Sequence, residues 1–359
     1  MVALGASVGF LAGCAPPAQA NPPTIAPTVG PTALPDPTAT LSPAPTATQG
    51  PTPTAAATAT PTPSPTPNPF AGYTIPELAA RPYGGGDLYV AEELEQAAGF
   101  TRYRIEYISD TLIVTGLMNI PYGDDGPYPV IIANHGYIDP DDYVPGLDSR
   151  PMGDFFAQHG YATIMPDYRG YGGSDSGLNP LRIGYAIDVL NLIESLHLII
   201  DLDPERVGVV GHSMGGGVST YVMTLSDRVD AVSLYGSMSA DQAANWQHIH
   251  DMWSPGTMDL FAQTYGTPDE NPGGYASISP INYLERVSMP VNIHHGTLDS
   301  QVPVAWSIDL SERLLEAGVE TQLYLYPDAG HTFRDTDLTT FLRRDLAFFD
   351  RTVKGLPDE

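Results

Sequence analysis

Val207-Gly208-Val209-Val210-Gly211-His212-Ser213-Met214-Gly215-Gly216, followed by Val218–Leu225, is the stretch on which the reading of this chain turns. Val207–Val210 is a short apolar run, the pattern of a buried strand, and Val218–Leu225 continues as helix. Between them Gly211-His212-Ser213-Met214-Gly215 fits Gly-x-Ser-x-Gly. A strand that passes straight into a helix bends sharply, with strained backbone packed closely on its neighbours. Glycines on either side of the bend meet both demands. Ser213 then stands at the helix N-terminus, where free N–H groups favour developing negative charge. Ser213 is therefore the candidate nucleophile.

A serine hydroxyl is a poor nucleophile at neutral pH. It needs a base within hydrogen-bond reach, a carboxylate to orient that base, and donors for an oxyanion. The candidate acid is Asp299, in His295-Gly296-Thr297-Leu298-Asp299-Ser300, just past a strand at Val291–His294. Carboxylates at the ends of parallel strands point into the crevice where ligands bind. Capping of the next helix is the competing role for Asp299, and Asp309 and Asp328 are less aptly placed rivals. The candidate base is His331, in Asp328-Ala329-Gly330-His331-Thr332-Phe333, between the last strand and the last helix. The backbone N–H of Met214 and that of Tyr137, in the loop His135-Gly136-Tyr137 after Val130–Asn134, are the candidate oxyanion donors. The Tyr137 phenol either assists or simply lines the pocket.

Around these residues strand and helix signals alternate, the mark of an α/β sheet. Arg102–Ile108 and Thr111–Ile120 form a hairpin turning at Ser109-Asp110. Further strands are expected at Tyr161–Met165, Ala231–Tyr235 and Gln322–Tyr326. Helices are expected at Met152–His159, Leu181–Ile200, Val304–Ala317 and Leu338–Val353. The stretch 239–279 interrupts this rhythm; it is aromatic-rich and punctuated by Pro and Gly. It reads as a small helical cap over the site, against the plainer alternative of two surface helices. Residues 70–359 are thus expected to form one catalytic domain.

Five segments then carry a resemblance: Asn134-His135-Gly136-Tyr137, Asp167-Tyr168-Arg169-Gly170-Tyr171-Gly172-Gly173-Ser174, Gly211–Gly216, His295–Pro303 and Gly330-His331-Thr332-Phe333. Together they resemble the catalytic domain of prolyl oligopeptidase-type hydrolases and related esterases, over about residues 100–353. The resemblance implies an α/β-hydrolase fold, a mostly parallel twisted sheet with helices on both faces. It also implies Ser213, Asp299 and His331 as a triad, with Tyr137 and Met214 at the oxyanion. Serine order followed by acid and then histidine is the chain order of that fold. Two departures favour ester over peptide substrates. There is no room for the β-propeller that gates the peptidases, and Gly-His-Ser-Met-Gly-Gly is the form common in esterases. A peptidase stays open as the alternative, and so does a non-catalytic surface lipoprotein on the same scaffold.

The N-terminal portion has a different character. Residues 1–13 are small and apolar, too short to span a bilayer as a mature helix but similar to the apolar core of a secretory signal. Leu11-Ala12-Gly13-Cys14 resembles a bacterial lipobox, with Cys14, the only cysteine, as the acylated residue. An ordinary signal peptide is the alternative. Either reading predicts export. A lipid on Cys14 would be the chain's one membrane attachment. Residues 15–69 are Pro/Thr/Ala-rich and read as an extended, disordered spacer.

The chain carries 42 acidic and 15 basic residues, a formal net charge of −27. Such a charge repels nucleic acid and anionic headgroups, and it suits a salty habitat that screens self-repulsion. The expected partner is a small or polymeric ester. No metal or organic cofactor is expected: there is no phosphate loop or dinucleotide fingerprint. His248-Ile249-His250 lacks the further ligands a zinc site needs. The carboxylates of Asp139, Asp141 and Asp142 read as solvated, on a loop that borders the site and disfavours anions. His294 and His295 read as core packing, and Arg169 as a structural ion-pair donor.

Overall fold

Alternation along the short apolar strands divides the core in two. Val130, Ile132, Val207, Val209, Val232 and Leu234 face one layer. Their neighbours Ile131, Ala133, Val210, Ala231 and Tyr235 face the other. Strands buried on both faces read as continuous apolar runs, which is why they stood out in the sequence. The computed structural model describes residues 68–123 and 126–357. Cys14, the signal-like segment 1–14 and nearly all of the spacer 15–69 lie outside the described residues.

Among the described residues nine strands form one sheet: β1 (Leu88–Ala97), β2 (Phe100–Ser109), β3 (Leu112–Pro121), β4 (Tyr128–Asn134), β5 (Ala162–Pro166), β6 (Leu202–His212), β7 (Ala231–Tyr235), β8 (Val291–Gly296) and β9 (Thr321–Tyr326). Their order is β1-β2-β3-β5-β4-β6-β7-β8-β9. β1, β2, β3 and β5 pair antiparallel, and β5, β4 and β6 to β9 pair parallel. The helices are α1 (Ile75–Ala80), α2 (Arg150–Gln158), α3 (Ile183–Ser195), α4 (Met214–Leu225), α5 (Gln242–Met252), α6 (Pro255–Tyr265), α7 (Pro272–Ile278), α8 (Val304–Glu316) and α9 (Asp335–Thr352). Ile187 and Leu190 of α3, Val218 and Val222 of α4, and Leu310 and Leu314 of α8 join the first layer. Met152 and Phe156 of α2, with Phe341 and Phe349 of α9, join the second. Each such apolar side chain contributes roughly 1.5–3 kcal/mol on burial.

Three elements differ from the sequence expectation. β1 was not foreseen, because Ala91-Glu92-Glu93-Leu94-Glu95-Gln96 has the composition of a helix. Pairing with β2, with two register shifts, makes it a strand. Its exposed glutamates guard the free edge of the sheet. The expected helix Leu181–Ile200 is shorter: Leu181 and Arg182 have φ of 44° and 69°, so α3 begins only at Ile183. The hairpin turns at Asp110-Thr111, with Asp110 at φ 58°.

The insertion after β7 folds as α5, α6 and α7, between the sheet strands β7 and β8. Phe70 pins it: its ring is fully buried and stacks on Tyr265 at 4.8 Å, with Tyr275 at 5.3 Å and Phe261 at 6.2 Å. The Tyr221 hydroxyl of α4 donates to the Ile278 carbonyl at 2.7 Å, a second tie from α7 to the body of the domain.

Candidate active site

The residues singled out by sequence emerge from the C-terminal ends of β4, β6, β8 and β9, which lie in one stretch of the sheet. Ser213 follows β6 with φ 54° and ψ −116°, a strained conformation for a residue with a side chain. The turn is held because Ser213 N–H donates to Tyr235 O at 2.8 Å and Ser213 O accepts from Met238 N–H at 3.0 Å. A Cβ on Gly211 would lie 2.3 Å from Gly215 O, and one on Gly215 would lie 2.2 Å from Asn134 O. Glycine at both positions is thus a matter of contact.

Asp299 and His331 meet from separate loops. His331 Nδ1 lies 2.7 Å from Asp299 Oδ2. Asp299 Oδ1 accepts from Gln301 N–H and Val302 N–H, each at 2.8 Å. His295 Nε2 is 3.2 Å from Asp299 Oδ2. Burial opposes the carboxylate charge, but the hydrogen bonds from His295, His331 and Val302 outweigh it and hold Asp299 well below the usual carboxylate range. An ionised Asp299 obliges His331 Nδ1 to be the donor, which leaves Nε2 as the basic nitrogen. Phe333 N–H donates to the Tyr235 hydroxyl, fastening the loop beyond His331.

Ser213, Met214, Tyr137 and His331 line one cavity of about 800 Å³. Among the described residues Ser213 Oγ makes no hydrogen bond. Catalytic hydrogen bonds in unliganded sites often form only when substrate is bound. Neither Met214 N–H nor Tyr137 N–H is engaged elsewhere among the described residues. Met214 is the first residue of α4, where an N–H has no partner within the helix. The loop bearing Tyr137 abuts Ser213: a Cβ on Gly136 would lie 3.2 Å from Ser213 Cβ. The Tyr137 ring itself is exposed.

Asp148 is a residue the sequence did not single out. Its Oδ2 accepts from Gly136 N–H at 2.7 Å, and its carboxylate lies 2.9 and 3.0 Å from His212 Nδ1. His212 Nε2 lies 3.2 Å from the His331 carbonyl oxygen. Both ring nitrogens of His212 thus face acceptors, which only the imidazolium satisfies. Burial opposes that charge, yet the attraction of Asp148 and its hydrogen bond raise the His212 pKa. Asp148 in turn, against its burial, is held at about 2 by His212 and Gly136. This pair ties the loop of Gly136, the elbow and the His331 loop together.

Residues 152–356 match the profile of the prolyl oligopeptidase family. The chain belongs to the prolyl oligopeptidase family. It is a serine hydrolase with the α/β-hydrolase fold. It is 26% identical over 269 residues to the uncharacterized peptidase YuxL of Bacillus subtilis, covering 70% of this chain and 38% of that protein. The chain therefore spans well under half the length of that relative. The fold is shared with Pyrococcus horikoshii acylaminoacyl peptidase (TM-score 0.60, 20% identity, 73% of this chain and 43% of that chain). It is also shared with the acetyl xylan esterase of Paenibacillus sp. R4 (TM-score 0.60, 17% identity, 77% of this chain and 92% of that chain).

Within this family member the remaining sequence-flagged residues take other places. Arg169 is held by Asp188, with Nη2 to Oδ1 at 2.7 Å. His294 bridges Asp345 at 2.8 Å and the Tyr326 hydroxyl at 2.9 Å in the core. His295, read from sequence as packing, instead touches Asp299 while its Nδ1 contacts Ser307 Oγ at 2.7 Å. His248 Nε2 donates to Gln301 O at 2.7 Å, and His250 pairs with Asp251. Among the described residues no His/Cys/Asp/Glu cluster has the form of a metal site. Asp139, Asp141 and Asp142 are exposed and line no part of the cavity, contrary to the expectation that this loop borders the site. Asp148 and His295 escaped sequence reading because their partners are remote in the chain or unremarkable in motif; only His212, inside the elbow, gave a local signal.

Proposed function

We propose that this hydrolase cleaves carboxylic esters through an acyl-enzyme. Ser213 Oγ attacks the ester carbonyl carbon as its proton passes to His331 Nε2. The oxyanion is held by the N–H groups of Met214 and Tyr137, and Asp299 stabilises the imidazolium. The carbon–oxygen bond to the alcohol breaks, and that oxygen takes the proton from His331. Water then repeats the sequence and releases the acid. The observation that carries this reading is the 2.7 Å contact of His331 and Asp299, with His331 and the strained Ser213 lining one cavity.

Two features support ester over peptide substrates. The fold matches nearly the whole of an acetyl xylan esterase but less than half of an acylaminoacyl peptidase chain. Asp148 is the one carboxylate among the described residues lining the cavity, and Gly136 and His212 occupy it. Among the described residues no cavity-lining acid is therefore left to bind a free amino terminus. A fluorophosphonate should label wild type and not Ser213→Ala, and p-nitrophenyl esters should turn over where aminoacyl and prolyl anilides do not. Anilide turnover at a comparable rate would overturn the ester reading, and an unlabelled wild type would overturn the catalytic one.

We infer further that the enzyme is exported and tethered at the cell surface through a lipid on Cys14, with residues 15–69 as its stalk. The lipobox-like Leu11-Ala12-Gly13-Cys14 supports this. Cys14→Ser should move the protein from the membrane fraction to the soluble one; an unchanged distribution would refute the anchor.

A further inference from the structure

Arg182 is a cation that no ion pair holds among the described residues. It is half-buried and lines the same cavity as Ser213. Among the described residues no carboxylate pairs with it, and its guanidinium makes no hydrogen bond; its backbone N–H donates to Asn179 O at 3.4 Å. Arg169, on the neighbouring loop, shows the ordinary alternative, held by Asp188 through three nitrogen contacts. Arg182 is the one Arg or Lys side chain among the described residues lining the cavity.

The backbone shows that this placement is enforced. Leu181 and Arg182 both adopt left-handed φ, at 44° and 69°, with no glycine between them. Each such residue costs on the order of 1 kcal/mol or more, so the surrounding packing over-determines the turn. The turn is the one that cut the expected helix short.

The surroundings are polar but uncompensated. The guanidinium carbon lies 5.9 Å from the centre of the Tyr137 ring, next to the proposed oxyanion donor. Burial depresses the Arg182 pKa, with the nearby tyrosines 185, 171 and 137 as its electrostatic company. Asn179, on the same wall, has a buried Oδ1 with no donor. Asp148 does not neutralise Arg182, because both its oxygens are taken by Gly136 and His212. A partly desolvated guanidinium without a counter-charge is unfavourable until oxygens fill its fork, and a carboxylate fits that fork bidentately.

We propose that Arg182 binds a carboxylate on the substrate, so that the preferred substrates are esters carrying a second, free carboxylate near the scissile bond. This rests on the ester-hydrolase reading above. The carboxylate sits either on the acyl chain or on the alcohol, and two matched pairs of substrates separate these. The acyl pair is 4-nitrophenyl hydrogen glutarate against its neutral methyl ester. The alcohol pair is 4-acetoxybenzoate against methyl 4-acetoxybenzoate. kcat/KM is measured at about 0.3 M NaCl, where the Debye length is below roughly 10 Å and long-range repulsion by the acidic surface is screened.

Wild type should favour the acid over its neutral partner at least ten-fold in one pair. Arg182→Met should reduce that ratio at least ten-fold, and Arg182→Lys should keep part of it. Fluorophosphonate labelling counts the folded sites in each preparation, so a damaged variant does not pass for a selective one. A wild type that favours the neutral ester in both pairs overturns the proposal, as does a ratio that Arg182→Met leaves unmoved. If wild type cleaves none of the four esters and takes no label, the hydrolase reading itself fails and this one falls with it. Turnover of neutral esters alone overturns only the role of Arg182.

Discussion

Replacing Asp148 tests whether the Asp148–His212 pair in the cavity wall does what its geometry implies. Asp148→Ala removes a bond to the Gly136 N–H at 2.7 Å and the bond to His212 at 2.9 Å. A bond to a charged donor is worth about 1.5–3 kcal/mol and a neutral one about 1 kcal/mol. The Asp148 side chain is 22% exposed, which places the sum toward the lower end, at about 3 kcal/mol. For a domain of this size that is roughly 6 °C in Tm. The loss should depend on pH. His212 has its pKa raised above 6.5, so its contribution is complete below 6.5 and fades as pH rises through the folded value. Asp148 sits at about 2 against an ordinary 3.8, so its contribution is present above 3.8 and lost as pH falls to about 2. The groups facing His212 are Asp148, the His331 carbonyl and ring, and the stacked Tyr235 ring, with the Asp299 carboxylate adding a weaker attraction. The difference between wild type and Asp148→Ala should thus be largest from about pH 4 to 6.5 and shrink in the alkaline range. Asp148→Asn, which can still accept from Gly136, should lie between the two. Calorimetric melts at pH 5 and pH 9, with ester kcat alongside, measure this. A Tm difference below about 1 °C at both pH values, or the same at both, would refute the reasoning.

Three other outcomes follow from the same geometry. Asp299→Asn should lower ester kcat by about 10³–10⁴-fold while fluorescence-monitored folding survives, because the imidazole loses the acceptor that sets its tautomer; a loss below ten-fold would remove Asp299 from the proposed triad. Phe70→Ala should cost about 3–5 kcal/mol in denaturant melts and raise KM most for long acyl esters, since the ring stacks on Tyr265 and meets Tyr275 of the cap edge-on; equal KM changes across acyl lengths would show that the cap does not shape that pocket. Because the net charge is −27, Tm should climb between low and molar NaCl as self-repulsion is screened, and a flat response would dismiss the salt-adapted reading.

Much of this molecule was legible because the relevant physics is local. A buried strand announces itself as an apolar run, and Val130–Asn134, Ala231–Tyr235 and Val291–His294 are found in the sheet where the sequence puts them. The elbow was readable from a few residues, since close contact permits only glycine at 211 and 215. Composition gave no strand signal for β1, where glutamates favour a helix until pairing with β2 makes an edge strand of them. The helix expected at Leu181–Ile200 failed at its start for a similar reason, because no sequence signal marks two non-glycine residues held at positive φ.

Ser213 as the candidate nucleophile, the order of the candidate acid and histidine after it, and the acidic balance of the chain were all readable in one dimension, from short segments or a sum over residues. The tertiary structure alone decided which remote groups meet. It set His331 against Asp299, set Asp148 against His212, and, among the described residues, left Arg182 in the cavity without a carboxylate partner. Those contacts join residues far apart in the chain, and no local spacing encodes them. They depend on the sheet order that gathers the ends of β4, β6, β8 and β9 on one side of the domain.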